Sequence, residues 1–304
     1  MSGPAADPPQ VKRPALRPLV VAATTLAAFL GTLGNGPAVA TQHRTAVTSR
    51  ADAPTVFTLS SFNVLGSSHT TGPHSRYASG VKRIGLALRL LDRHDVDVVG
   101  FQELQMDQFD EFTRLAGDRF GVYPGGVDRR TVQNSIAWAL DSWRLVEGDT
   151  IPIPYFHEDY QMPVVLLENV VTGQRAYFSN FHNPAYASNQ KRRDEAKARQ
   201  IAMVNRLAPT GLPVFITGDM NEREEYFCTM VAGAPVKAAN GGRYRDGVCT
   251  PPPKPMPVNW ILGLKKRGTF SNYVRDDSRL VNRITNHFVI RADVTIDPAT
   301  VLAR

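Results

Sequence analysis

Pro213-Val-Phe-Ile-Thr-Gly218-Asp219-Met-Asn221 is an apolar run that stops at a glycine and is followed by an acid and an amide at alternate positions. In a strand, side chains two apart point the same way, so Asp219 and Asn221 can share one pocket at the end of a buried strand. A carboxylate beside an amide suits a hard cation and a phosphate oxygen. The same letters also spell an Asx-type turn closing a strand. Which reading applies depends on how often the chain repeats the pattern.

It repeats it several times. Val56 to Phe62 alternates like a strand and ends at Asn63; Val96 to Phe101 is a short apolar strand ending in Gln102-Glu103. Arg175 to Phe181 ends at His182-Asn183, Val258 leads into Asn259, and Asn286-His287 precede the apolar run 288–296. Strands are also expected at 135–140 and 164–168, with Thr172-Gly173 as a hairpin turn. Helices are expected at 78–93, from the spacing of Val81, Ile84, Leu88 and Leu91, at 105–119 and at 189–207. In the last, Ala196, Ile201, Val204 and Leu207 mark the buried side. The charges opposite (Lys191, Arg192, Arg193, Asp194, Glu195, Lys197, Arg199) read as a solvated face. Residues 232–257 read as an irregular Gly- and Pro-rich loop. Polar residues at successive strand ends are where open α/β sheets place their sites.

With 42% hydrophobic and 21% charged residues the chain is globular rather than broadly disordered. Its net charge of +7 leans toward polyanionic partners, nucleic acid first. Lys12, Arg13 and Arg17 precede an apolar run, Leu19 to Leu33, and Ala38-Val39-Ala40 follows. This is the pattern of a signal peptide over 1–40, too short to span a bilayer comfortably; an uncleaved signal-anchor is the alternative. Residues 41–54 form a flexible leader and 55–298 one domain, with no further membrane span, expected to act as a secreted or extracytoplasmic monomer. In an exported chain, Cys228 and Cys249 read as one disulfide. They lack the spacing of a metal site.

Six motifs, in order, carry a family resemblance: Ser61-Phe-Asn-Val64, Phe101-Gln-Glu103, Asn180-Phe-His-Asn-Pro184, Gly218-Asp-Met-Asn221, Val258-Asn-Trp-Ile-Leu262 and Thr285-Asn-His287. The chain resembles the endonuclease/exonuclease/phosphatase superfamily of deoxyribonuclease I-like proteins over residues 55–298. The resemblance implies an α/β fold, a four-layer sandwich of two mixed β-sheets flanked by helices. It also implies metal-dependent cleavage of a phosphate ester. By position, Glu103 corresponds to the family's Mg2+ ligand, with Asn63 and Asn286 beside the metal and Mn2+ as a substitute ion. Asp219 corresponds to the residue that orients or activates the attacking water. Asn221 corresponds to a phosphate-oxygen ligand. His182 and His287 correspond to phosphate ligands that also serve as acid or base, a role suited to a pKa near neutrality.

Two positions depart from that pattern. Asn259 and Asn286 stand where members usually carry aspartates, the first of which hydrogen-bonds the terminal histidine. An amide keeps the shape but cannot stabilise an imidazolium by charge. Three functions are therefore weighed: a secreted Mg2+-dependent phosphodiesterase or nuclease; a catalytically weakened relative that binds a phosphorylated ligand or polyanion; and a non-enzymatic envelope protein.

Overall fold

The computed structural model describes residues 53–72 and 75–298. The expected signal segment and nearly all of the leader lie outside the described residues. Two six-stranded sheets stand face to face. The first contains β1 (Thr55–Asn63), β2 (Val96–Gln102), β3 (Phe120–Tyr123), β4 (Ile136–Ala139), β13 (Thr269–Asp276) and β14 (Val289–Ile296), in the order β13-β14-β1-β2-β4-β3. The second contains β5 (Trp143–Tyr155), β6 (Glu158–Asn169), β7 (Arg175–His182), β8 (Val214–Asp219), β9 (Val236–Ala238) and β12 (Asn259–Leu264), in the order β5-β6-β7-β8-β12-β9. Both sheets are mixed: β1 runs parallel to β2 but antiparallel to β14, and β7 runs parallel to β8 but antiparallel to β6.

Helices α1 (Gly80–Arg93) and α2 (Met106–Ala116) cover the first sheet, and α3 (Gln190–Leu207) and α4 (Glu224–Gly233) cover the second. A short α5 (Val281–Ile284) precedes β14. Three apolar layers result. Ile84, Leu88, Leu91 and Phe112 bury against Phe62, Val99 and Phe101. Ala196, Met203, Val204 and Met230 bury against Val214, Ile216 and Trp260. Between the sheets, Phe57 meets Trp143 edge-on at 5.1 Å, and Phe178 stacks on Phe215 at 5.4 Å. The three tryptophans all lie in these layers.

The sheets approach most closely where β1 and β2 face β7 and β8. A Cβ on Gly100 would stand 2.0 Å from Thr217 Oγ1 and 2.4 Å from Asn180 Oδ1. A buried hydrogen-bond network fills that gap. Ser61 Oγ accepts from the Gly218 N–H at 3.0 Å, Gln102 Nε2 donates to Asn180 Oδ1 at 2.6 Å, and Asn180 Nδ2 donates to Phe101 O at 2.6 Å. These bonds cross from one sheet to the other, so the junction fixes register as well as distance.

The expected elements are present, and five parts of the chain differ from expectation. β3, β5 and β13 lie in stretches without clear alternation. β5 and β13 are edge strands, where exposed charge and proline (Pro152, Pro154) are tolerated. The region 232–257 holds β9 and a hairpin of β10 (Arg243–Arg245) and β11 (Val248–Thr250). The charged face of α3 is not wholly solvated: Arg193 and Lys197 are buried, because they find partners in the loops beneath them. Cys228 on α4 and Cys249 on β11 form a disulfide with a Cα–Cα distance of 5.6 Å, pinning the hairpin to the helix.

Gly100→Ala is expected to lower unfolding free energy by about 2 kcal/mol or more, through overpacking of the sheet junction, measured by denaturant titration. Replacing Cys228 and Cys249 with serine should lower it by about 3 kcal/mol, the chain-entropy value for a loop of this size. Treating the unmutated protein with reductant should reproduce that loss.

Candidate functional site

The strand ends converge at one edge of the sandwich, and the site draws on both sheets. β8 ends at Asp219, which is fully buried. Both readings of its motif hold together. Asp219 Oδ1 accepts the Asn221 N–H at 3.0 Å, closing an Asx turn. Oδ2 receives Asn63 Nδ2 from the first sheet at 3.2 Å and lies 3.2 Å from His287 Nδ1 and 4.0 Å from His182 Nε2. The turn aims one oxygen and leaves the other for chemistry.

Asn63 links two acids. Its Nδ2 also donates to Glu103 Oε1 at 2.8 Å, while its Oδ1 accepts the Leu65 N–H at 2.9 Å. Asn63 thus presents nitrogen rather than oxygen to the site and orients the carboxylates. Glu103 Oε2 accepts the Gly66 N–H at 2.9 Å and lies 3.4 Å from His69 Nε2. Burial pushes the Glu103 carboxyl up. The positive field of His182, the Gly66 and Asn63 hydrogen bonds and the field of His69 outweigh it and hold the group below the ordinary range. Glu103 is therefore an anion with lone pairs still free.

Asn221 reaches the site differently from the expectation of strand alternation. β8 has already ended, and Asn221 sits at φ 52°, in the left-handed region. Its Nδ2 donates to Asn183 O at 2.8 Å, and the Asn183 N–H donates to Asp219 O at 2.9 Å. The loops after β7 and β8 are thereby tied together. Asn259 pairs in register with Asp219, and its buried side-chain nitrogen and oxygen have no hydrogen-bond partner. It does not hold His287; Asp219 does. Asn286 is exposed.

Several contributors were not singled out from the sequence. Arg83 of α1 is fully buried. Its guanidinium donates to Val64 O at 2.5 Å, Leu65 O at 2.6 Å and Ile284 O at 2.7 Å. It therefore clamps the loop after Asn63 to the segment leading to His287. Burial lowers its pKa, yet an arginine stays cationic. On the other side, Arg193 donates to Pro184 O at 3.0 Å and Tyr186 O at 2.6 Å. Lys197 meets both oxygens of buried Glu222 at 3.0–3.1 Å, and Gln200 Nε2 donates to Asn183 Oδ1 at 2.9 Å. Their spacing of four and three residues puts all three on one face of α3, a signal the sequence does carry. Tyr155, at the end of β5, places its ring 5.3 Å from that of His182. Burial, then the charges of Glu103 and neighbours, pushes its phenol up, so it stays a neutral hydroxyl.

The donor set is hard: carboxylate oxygens of Glu103 and Asp219 around an amide. Among the described residues, no three His, Cys, Asp or Glu side chains form a cage for a metal ion. The carboxylate oxygens of Glu103 and Asp219 would suit a cation such as Mg2+, which takes the rest of its shell from water or substrate oxygens.

The Endonuclease/Exonuclease/phosphatase family matches residues 60–263. A search of curated proteins finds no match. Among solved structures, the human Nocturnin catalytic domain with bound sulfate is similar at TM-score 0.62 and 14% identity, over 79% of this chain and 94% of that one. A mannosyl-6-phosphatase from Bacteroides thetaiotaomicron is similar at TM-score 0.60 and 16% identity, over 78% and 99%. TDP2 from D. rerio, complexed with a single-strand DNA product, is similar at TM-score 0.58 and 14% identity, over 79% and 98%.

Arg83→Met should cost about 3 kcal/mol of stability, because the Val64 and Ile284 carbonyls lose a buried donor and Leu65 O keeps only Gln108 Nε2. Denaturant titration reads the loss. A change below about 0.5 kcal/mol would show that the two loops hold their places without the clamp.

Proposed function

Because the chain belongs to the endonuclease/exonuclease/phosphatase family, we propose that it is an exported, metal-dependent phosphoric ester hydrolase, acting as a phosphodiesterase or nuclease. The observation that carries this reading is the convergence on Asp219 Oδ2. One buried carboxylate oxygen meets Asn63, His287 and His182, with Glu103 on the far side of the same amide.

Each residue has a place in that chemistry. Asp219 orients the attacking water and accepts its proton as the bond to phosphorus forms. His287, held by Asp219, faces the phosphoryl oxygens and stabilises the charge that gathers on them. His182 stands beside Tyr155 and serves the leaving oxygen as hydrogen-bond donor or acid. Asn221 is the amide for a phosphate oxygen once its bond to Asn183 loosens. Glu103 would hold Mg2+ or Mn2+, with Asn63 as its orienting donor. When bound, the ion supplies Lewis-acid neutralisation of the phosphate. Asn286, being exposed, would take part only through water. The basic net charge favours nucleic acid as substrate. Export rests on residues 1–40, and the disulfide is of the kind that persists in oxidising compartments. N-terminal sequencing of the released protein should then begin at Thr41.

A second reading, a weakened relative that binds a phosphorylated ligand or polyanion, is favoured by one observation: the buried amide of Asn259 bonds nothing where an acid would support His287.

The test is hydrolysis of plasmid DNA, RNA and bis-p-nitrophenyl phosphate with Mg2+ or Mn2+, abolished by EDTA. Asp219→Asn and His287→Ala should each lower kcat about 100-fold or more. Turnover that survives both His287→Ala and Glu103→Gln sinks the site assignment. If ligand binds without turnover, and Asn259→Asp with Asn286→Asp restores rate, the second reading holds instead.

A further inference from the structure

Four aromatic rings run from His182 to the surface. Tyr155 lies 5.3 Å from the His182 ring, Phe156 4.7 Å from Tyr155, and Tyr186 6.2 Å from Phe156; Tyr160 backs Tyr155 at 4.6 Å. Tyr155 ends β5, Phe156 lies in the turn before β6, and Tyr186 comes from the loop after β7, so the row spans two separate loops. Tyr186 is 75% exposed, and among the described residues it is the only aromatic among the exposed large apolar side chains. The backbone beneath this exposed ring is also unusual.

Tyr186 has φ 70° and Phe156 φ 49°. Bulky side chains avoid this region, and such outliers persist only where the surroundings over-determine them. At Tyr186 the surroundings do so: its carbonyl accepts from buried Arg193 at 2.6 Å and from the Asn189 N–H at 3.1 Å. The fold thus uses a buried cation to fix a peptide whose side chain is turned out to solvent at the outer end of the row of rings that starts at His182.

We propose that Tyr186 and Phe156 form a stacking subsite for a nucleobase carried by the phosphate ester whose phosphorus lies at His182 and Asp219. This rests on the hydrolase reading given above. Planar faces accept any base, whatever the sequence, and base–aromatic stacking adds affinity without hydrogen-bond readout. The charges at the tip suit this ligand. Glu158 is paired with Arg130 at 2.7 Å and Asp159 with Arg199 at 2.6 Å, so the acids flanking the rings do not repel a phosphodiester. A lipid surface is the poorer occupant: one exposed ring among paired charges offers little apolar area to insert.

The probe is a dinucleoside phosphodiester with 2-aminopurine on one side, and its base-free (abasic) counterpart. Binding is followed by 2-aminopurine quenching for the fluorescent ligand and by calorimetry for both; hydrolysis is followed in parallel. The expected result is quenching on binding by the unmutated protein, with affinity about tenfold weaker in Tyr186→Ala and kept in Tyr186→Phe. Affinity for the abasic ligand should not change. Equal losses on both ligands, or no loss on the 2-aminopurine ligand, overturn the subsite. So does failure of the 2-aminopurine ligand to bind at millimolar concentration. Tyr186-dependent binding to phosphatidylcholine–phosphatidylglycerol vesicles, without 2-aminopurine quenching, assigns the rings to lipid and overturns it too. The two readings fail separately. Tyr186-dependent quenching without cleavage removes the hydrolase and keeps the subsite; cleavage indifferent to Tyr186 does the reverse.

Discussion

The hydrogen bond from the Gly218 N–H to Ser61 Oγ sits where the two sheets come closest, and the rest of the site depends on that approach. Asn63 and Glu103 belong to the ends of β1 and β2, and His287 leads into β14; His182 and Asp219 belong to β7 and β8. No sheet holds the chemistry alone. A Cβ at Gly218 would meet Phe181 O at 2.3 Å, as one at Gly100 would meet Thr217 and Asn180. The glycine at 100 and a buried polar cluster therefore set how near one half-site comes to the other, and the glycine at 218 lets β8 lie close against β7. In a low-dielectric junction such a cluster is strongly stabilising when complete and costly when broken.

Behind this junction, two buried basic groups hold the loops that carry the side chains. Arg83 gathers carbonyls flanking Asn63 and preceding His287; Arg193, with Lys197 and Gln200, gathers the loops of Asn183, Tyr186 and Glu222. Neither group lies at the reacting centre. Each satisfies loop carbonyls or a carboxylate that would otherwise be stranded, the condition for irregular backbone to be buried at all. The site is precise because its loops are anchored from the helix side, by long side chains whose charge is fully used.

Much of this was legible in the sequence, and the limits are physical. Strand-terminal Asn63, Glu103, His182, Asp219 and His287 could be found because apolar runs announce strands and polar residues announce their ends. Their mutual contacts could not, since nothing local tells Asp219 which oxygen closes a turn and which meets a histidine. Asn221 was placed by strand alternation, yet it lies beyond the strand with a left-handed φ. β5 was hidden because an edge strand need not alternate. Arg193 and Lys197 read as solvated charges in the sequence because a charged residue's burial depends on a partner distant in the chain, here Glu222 and the carbonyls of 184 and 186. Only their shared helix face hinted otherwise.

Leu65, Glu103 and Asn221 hold φ values of 58°, 61° and 52° at three of the loops that frame the site. Glycine would occupy that region with ease, and a side chain there costs on the order of 1 kcal/mol or more. Glycine at Glu103 or Asn221 would relieve that strain, whereas at buried Leu65 the lost burial would outweigh the relief. At Glu103 and Asn221 the substitution deletes the group itself. At Leu65 it frees the turn that fixes the Asn63 amide. Robustness and competence thus pull in opposite directions at Glu103 and Asn221. A lineage of this protein that has relaxed those backbones will have kept its sandwich and given up its trade.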